Sequence, residues 1–373
     1  MLTDGHASVL RLINQFGPLS RTELVRQLGI SKASMSALAS DLIDRGVLAE
    51  GEMVYGAGRP SVRLELSANS AFFIGVSLAT VPFTLTLTDL RGGVLSTAEL
   101  TQGATPEAIV EEIAAAIPGL FDGHPQALDR LAGIGLAVPG VVDAATGTCV
   151  RSTLLDWRDV PIGDLVAAAT GLPAYVENDA NALALGQHLF GSLRGCDQGT
   201  MIAVGDGIGC GHIINGELHR GARGGAGEIA HATVDPSGLP CQCGKRGCLD
   251  TLASVRSIAA AARAAGLDCG LAALDAAANR GERAAIDILH GAGAALGLAI
   301  AQIVQSLDPE RMVIGMTDGP VTGLFARVVR QTVEANVMPD DHRRLDLTIT
   351  RLENQAWAIG AASIAAGRGF FRV

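Results

Sequence analysis

Apolar residues recur at helical spacing in residues 7–16, where Val9, Leu10, Ile13 and Phe16 share one face, and Gly17-Pro18 then stops the helix. Ser20 followed three residues later by Glu23 is the pattern of a capping box, predicting a second helix over RTELVRQL that Gly29 ends. Ile30-Ser31 opens a third, with Met35, Leu38, Leu42 and Ile43 facing inward. A hairpin follows from Gly46, through Gly56-Ala57-Gly58-Arg59-Pro60 to the strand SVRLEL. From about Ala71 strands alternate with helices. FFIGVSLATVPFTLTLTDL reads as two strands and a turn, TPEAIVEEIAAAIPGLF as an amphipathic helix, LAGIGLAVPGVVD as a buried strand, and PAYVEN as a strand leading into a helix from Asp179 through Gly191. MIAVGDGIGCGHIINGEL is a hairpin with a glycine-rich tip, and AAIDILHGAGAALGLAIAQIVQSL a long buried helix feeding the strand RMVIGM. Such alternation indicates parallel or mixed sheets in two lobes, with ligands bound beyond the strand ends.

Three short helices and a hairpin over residues 1–68 are the pattern of a winged helix-turn-helix. Ser31, Lys32, Ser34 and Ser36 crowd the first turns of the third helix, and small hydroxyls with a lysine are what a recognition helix presents to phosphates and base edges. The Gly-Arg-Pro tip resembles minor-groove hooks, where a narrow A·T groove attracts an arginine. The expected DNA-contacting residues are therefore Arg21, Ser31, Lys32, Ser34, Met35, Ser36 and Arg59. A protein-interaction module of three helices is the alternative.

Residues 227–250 carry the densest chemistry. Cys241, Cys243 and Cys248 stand in C-x-C-x4-C spacing with His231 ten residues upstream of the first. Three thiols and one imidazole suit a tetrahedral structural Zn2+ and leave no open position for a catalytic water. Glu228 and Asp250 flank the set and would be held rigidly by it.

Composition changes the picture in three ways. The 373 residues, 48% hydrophobic and 18% charged, provide ample core for two or three domains. The chain lacks a run of roughly 18 uninterrupted apolar residues and begins without a basic-then-apolar leader, which argues for the cytoplasm and against a membrane. The net charge of -10 excludes wholesale coating of nucleic acid, and within residues 1–66 seven basic side chains balance seven acidic ones, so DNA binding must be local.

GIGLAVPGVVD, VENDANALALGQ, GDGIGCGHIINGELHRGARGGAGEIAH and CQCGKRGCLD resemble, in order and spacing, the ROK family of sugar kinases and sugar-responsive repressors (repressor, open reading frame, kinase). The resemblance covers the whole chain, because the repressor branch also begins with a winged helix-turn-helix. It implies an α/β fold of two ribonuclease-H-like lobes, the actin and hexokinase type. The body would run over residues 69–373, with a smaller lobe of residues 69–178 plus the C-terminal helix 356–373 and a larger lobe of residues 179–355. It also implies that Asn178, Asp179, Glu228, His231 and Asp250 hold sugar hydroxyls, with Gly140 and Thr153 lining the same cleft between the lobes. Asp250 is a methylene shorter than the family's glutamate, and Ala230 replaces a glycine.

Family kinases place Asp-x-Gly-Gly-Thr after the first strand of the body; Ser77-Leu78-Ala79-Thr80-Val81 stands here, without the acid or the glycines. Asp206 stands where kinases have threonine, and Met316 follows Gly315 where they have a second glycine. The expectation is a non-enzymatic, zinc-containing transcriptional regulator, a homodimer or tetramer that represses through DNA and responds to a sugar. A sugar kinase with an appended DNA-binding domain is the alternative. A third reading is a regulator with no ligand.

Overall fold

The computed structural model describes residues 2–55, 61–101, 103, 105–339 and 345–373. These fall into two compact units, Met1–Gly195 with Gln355–Val373, and Cys196–Asn354.

The first unit begins with α1 (Asp4–Phe16), β1 (Leu19–Ser20), α2 (Arg21–Leu28), α3 (Lys32–Asp44), β2 (Leu48–Val54) and β3 (Ser61–Leu66). The expected capping box starts α2: the Ser20 amide donates to Glu23 Oε2 at 2.8 Å, and the Glu23 amide donates to Ser20 Oγ at 3.3 Å. The Ser20 amide is also the main reason the Glu23 carboxyl lies below its ordinary range. Val9, Leu10, Ile13, Leu24, Met35, Ala39 and Leu42 close the core of the three helices. The sheet runs β1-β3-β2, so β3 pairs on both sides. Three helices with a β2–β3 hairpin make a winged helix-turn-helix; the wing tip carrying Arg59 lies outside the described residues.

The same unit continues with β4 (Phe72–Ser77), β5 (Phe83–Asp89), β6 (Val94–Leu100), α4 (Pro106–Ala116) and β7 (Leu131–Val138). A small antiparallel sheet follows, β8 (Val141–Asp143), β9 (Thr148–Ser152) and β10 (Trp157–Val160), then α5 (Ile162–Thr170), β11 (Ala174–Asn178) and α6 (Asp179–Phe190). The main sheet is ordered β11-β7-β4-β5-β6, with β4, β5 and β6 antiparallel and β4, β7 and β11 parallel.

The second unit contains β12 (Gln198–Val204), β13 (Ile208–Ile214), β14 (Glu217–His219), α7 (Asp250–Ala253), α8 (Val255–Ala264), α9 (Leu271–Asn279), α10 (Arg283–Leu307), β15 (Arg311–Met316), α11 (Leu324–Asn336) and β16 (Asp346–Arg351). Its sheet is ordered β14-β13-β12-β15-β16, again three antiparallel strands followed by two parallel ones. The topology of the first sheet thus recurs in the second, as expected of two ribonuclease-H-like lobes. Among the described residues, α10 alone is long and apolar enough to cross a membrane; 56% of its most apolar window is buried in this unit. It packs there with Phe325, Val329 and Val333 of α11 in one core.

The chain then returns to the first unit as α12 (Gln355–Ala366), which ends in a π-helical turn, Gly367–Phe371. Helices α6 and α12 pack through glycines: a Cβ on Gly186 would lie 2.9 Å from the Gly360 Cα, and one on Gly360 2.8 Å from the Ala182 carbonyl oxygen. Only hydrogen at both positions allows this approach.

Candidate effector and metal sites

The metal-ligand candidates come from one turn of the second unit. One ligand atom each from His231, Cys241, Cys243 and Cys248 lies within 4.8 Å of the others. His231 Nδ1 is 3.5 Å from Cys241 Sγ, and Cys243 Sγ is 3.6 Å from Cys248 Sγ. A tetrahedral Zn2+ with ordinary bond lengths would set these edges at about 3.6 Å and about 3.8 Å, so the four side chains fit such an ion. The turn is held closed by Cys241 N–H to the Lys245 carbonyl at 2.8 Å, and by Lys245 Nζ donating to the His231 carbonyl at 2.5 Å. Gly247, at φ +65°, passes so close to Asp235 that a Cβ would sit 1.4 Å from its carbonyl oxygen. Burial first and then the neighbouring thiols push Cys248 up to about 12, whereas the Lys245 amide holds Cys243 below the usual thiol range.

With Nδ1 toward the thiols, His231 turns Nε2 toward Glu228 Oε2, 3.9 Å away. Both side chains remain partly exposed, at 37% and 44%, so a ligand can reach them. Asp250 is different. It is 7% exposed, its Oδ1 accepts the Ile208 amide at 3.3 Å, and its Oδ2 accepts Arg256 Nη2 at 2.9 Å. Both oxygens therefore brace the glycine hairpin between β12 and β13 against α8. Arg256 has no role in the sequence reading, because only the fold brings it to Asp250.

In the first unit, Asn178 caps α6: its Oδ1 accepts the Asn181 amide at 3.1 Å, and its Nδ2 donates to the Gly140 carbonyl at 2.9 Å and to Asp179 Oδ1 at 3.0 Å. Gly140 adopts φ +129° against the Arg151 carbonyl, and Thr153 is exposed on the turn between β9 and β10. Behind this cap lies a pair absent from the sequence reading. The buried Glu177 Oε1 accepts the Asn178 amide at 3.0 Å and Asn181 Nδ2 at 3.2 Å, fixing the backbone that carries Asn178 and Asp179.

On α3, Ser31 caps the helix through the Ser34 amide, and Ser31, Lys32, Ser34 and Ser36 are exposed. Met35 corrects the expectation of a DNA contact: it is 0% exposed in the core of the three helices, as its apolar spacing requires. Arg21 pairs with Glu50 of β2 at 2.9 Å.

A winged helix-turn-helix followed by two main sheets of recurring topology, with a Cys3His cluster in the second unit, defines a regulator built on an actin/hexokinase-like body. The ROK family model matches residues 73–368 and the MarR family model residues 2–53, and the chain belongs to the ROK family. It is 28% identical over 372 residues to the DNA-binding transcriptional repressor Mlc of Escherichia coli K12, covering 96% of this chain and 91% of Mlc. A solved ROK family transcriptional regulator, described as a homologue of E. coli Mlc, superposes with a TM-score of 0.79 at 28% identity, covering 98% of this chain and 96% of that one. The glucokinase of Halalkalibacterium halodurans is 35% identical over 268 residues, covering 68% of this chain and 81% of the enzyme.

Proposed function

We propose that the chain is a sugar-responsive transcriptional repressor, with α3 and the wing reading operator DNA and a sugar or sugar derivative adjusting that affinity. The observation that carries this reading is the likeness to the regulator of TM-score 0.79, which spans 98% of the chain and so includes the winged helix. The effector is held through the side chains of Asn178, Asp179, Glu228 and His231. Carboxylates, an amide and an imidazole suit a polyol because each bridges or accepts from neighbouring hydroxyls. Asp250 acts behind them by fixing the glycine hairpin. Zn2+, held by His231, Cys241, Cys243 and Cys248, supplies a rigid cross-link and no open coordination position. A homodimer presents two winged helices to paired half-sites.

The glucokinase similarity supports a second reading, ATP-dependent phosphorylation of glucose or an N-acetylated hexosamine. Against it stands the Ser77-Leu78-Ala79 turn after β4, which offers phosphate no acid to hold a metal. A thermal-shift screen of sugars and sugar phosphates, with and without Mg-ATP, separates the readings. A sugar that raises the melting temperature and weakens retention of a selected DNA duplex supports the repressor. Turnover of ATP with that sugar overturns it.

A further inference from the structure

Helix α6 has the proposed effector residues at one end and the DNA-binding helices at the other. Its twelve residues span about 18 Å at the ordinary helical rise. At the N-terminal end stand Asn178 and Asp179, braced from behind by Glu177 and Asn181. At the C-terminal end, the Leu189 carbonyl accepts a 2.7 Å hydrogen bond from Nδ2 of Asn14, which is 5% exposed in the last turn of α1. Arg194, just beyond α6, returns the contact by donating Nε to the Asn14 carbonyl. The last four carbonyls of any helix lack intrahelical partners, and here two helix C-termini answer one another's.

The far end of α1 is held as well. Arg372, after the π-helical turn that follows α12, pairs with Asp4 and donates Nη2 to the Leu2 carbonyl at 2.5 Å. Since α12 packs on α6 through Gly360 and Gly186, both ends of α1 are fastened to the same helix pair. Helix α1 in turn grips α3: His6 Nε2 is 3.1 Å from Asp41 Oδ2, and the Leu38 side chain lies against Gly5.

We infer that Asn14 and Arg194 are positioning residues that transmit the state of the Asn178–Asp179 end of α6 to the DNA-presenting helix. Close-packed helices move as bodies rather than deforming, so a displacement at the N-terminal end of α6 reaches Leu189, then α1, then α3. The inference rests on the repressor reading for its biological meaning, but its mechanics do not require a ligand.

The test compares amide hydrogen exchange in the full chain, Asp179→Ala, Asn14→Leu and the double variant. Asp179→Ala is expected to speed exchange across residues 4–16 by roughly 3- to 10-fold, within the range of measured couplings. In the Asn14→Leu background exchange there is already fast, and Asp179→Ala adds nothing further. No change in α1 on Asp179→Ala, or effects that simply multiply, overturns the inference. Arg194→Met serves if Asn14→Leu folds poorly, since Arg194 is exposed. In a second arm the full chain selects a duplex from a random pool, and glucose, N-acetylglucosamine and N-acetylmannosamine are titrated. Arg194→Met should keep any sugar-induced rise in melting temperature while losing the sugar-induced change in DNA affinity. A variant that keeps both overturns the inference. Failure of every sugar with the wild type counts against the repressor reading alone, because the exchange arm still decides the coupling.

Discussion

His231 turns Nδ1 to within 3.5 Å of Cys241 Sγ and leaves Nε2 facing Glu228. One imidazole thereby joins the candidate metal-ligand cluster to a side chain of the proposed effector site, so chelation should disturb both. A metal whose Kd lies about 1,000-fold below its free concentration contributes about 4 kcal/mol, which corresponds to roughly 8–16 °C of melting temperature in a domain of this size. Chelation or Cys248→Ser should produce a fall of that order, read by calorimetry beside elemental analysis for zinc. A metal-free protein that melts unchanged would refute a structural ion.

His212 provides an independent handle on pH. It is 6% exposed between β12 and β14, with Nδ1 3.0 Å from Thr200 Oγ1 and Nε2 3.6 Å from Cys210 Sγ. Burial first, then the neighbouring His219, pushes it down from 6.5 to about 4. The unfolded chain therefore binds a proton that the folded chain refuses between those values. Stability present above 6.5 falls as pH drops toward 4, by about 3 kcal/mol at most. His212→Gln should flatten the pH dependence of urea midpoints in this window. An unchanged slope would assign the acid sensitivity elsewhere.

Local grammar makes much of the fold and the candidate site legible in the sequence. Ser20 and Glu23 mark a helix start because both partners of a capping box lie within one turn, and the four candidate metal ligands lie within 18 residues, so spacing alone groups them. The sheets follow from strand–helix alternation, although β8, β9 and β10 are too short to announce themselves. What stayed hidden depends on distant partners. Asn14 and Leu189 are 175 residues apart, and Arg256 acquires meaning only when the fold sets it beside Asp250. Met35 was misassigned because it sits among exposed serines, although its own spacing points inward.

The exposed and buried residues of α3 should separate cleanly. Lys32→Ala is expected to weaken DNA binding across sequences and to lower the salt slope by about 1 per copy, without altering the melting temperature. Met35→Ala removes core volume and should cost about 2–5 kcal/mol of stability. Fluorescence anisotropy over a salt series, beside urea melts, checks both. An unchanged salt slope for Lys32→Ala would remove α3 from the DNA interface.

Glu228 is proposed to accept effector hydroxyls and lies outside the four candidate metal ligands. Losing a hydrogen bond to a charged group costs about 1.5–3 kcal/mol, so Glu228→Ala should weaken sugar binding roughly 10- to 100-fold by calorimetric titration. Zinc content should stay the same. Equal affinity in wild type and variant would place the sugar elsewhere.

Asp250 divides structural from ligand roles. Its side chain accepts the Ile208 amide and Arg256, and its backbone carbonyl accepts Ser254 Oγ and Ser257 Oγ, both at 2.7 Å. A carboxylate whose task is to receive a sugar could be removed from the ligand-free protein at little cost. One that ties a hairpin to a helix could not. Asp250→Ala leaves the Ile208 amide without its partner, while the half-exposed Arg256 can turn to water, so the expected loss is about 1–3 kcal/mol. At roughly 2–4 °C per kcal/mol this is a readable fall in the melting temperature of the ligand-free protein. Arg256→Met should reproduce only part of it, because it leaves the Ile208 bond in place. If Asp250→Ala melts like the wild type and loses only sugar affinity, the carboxylate is a ligand contact and the brace is incidental.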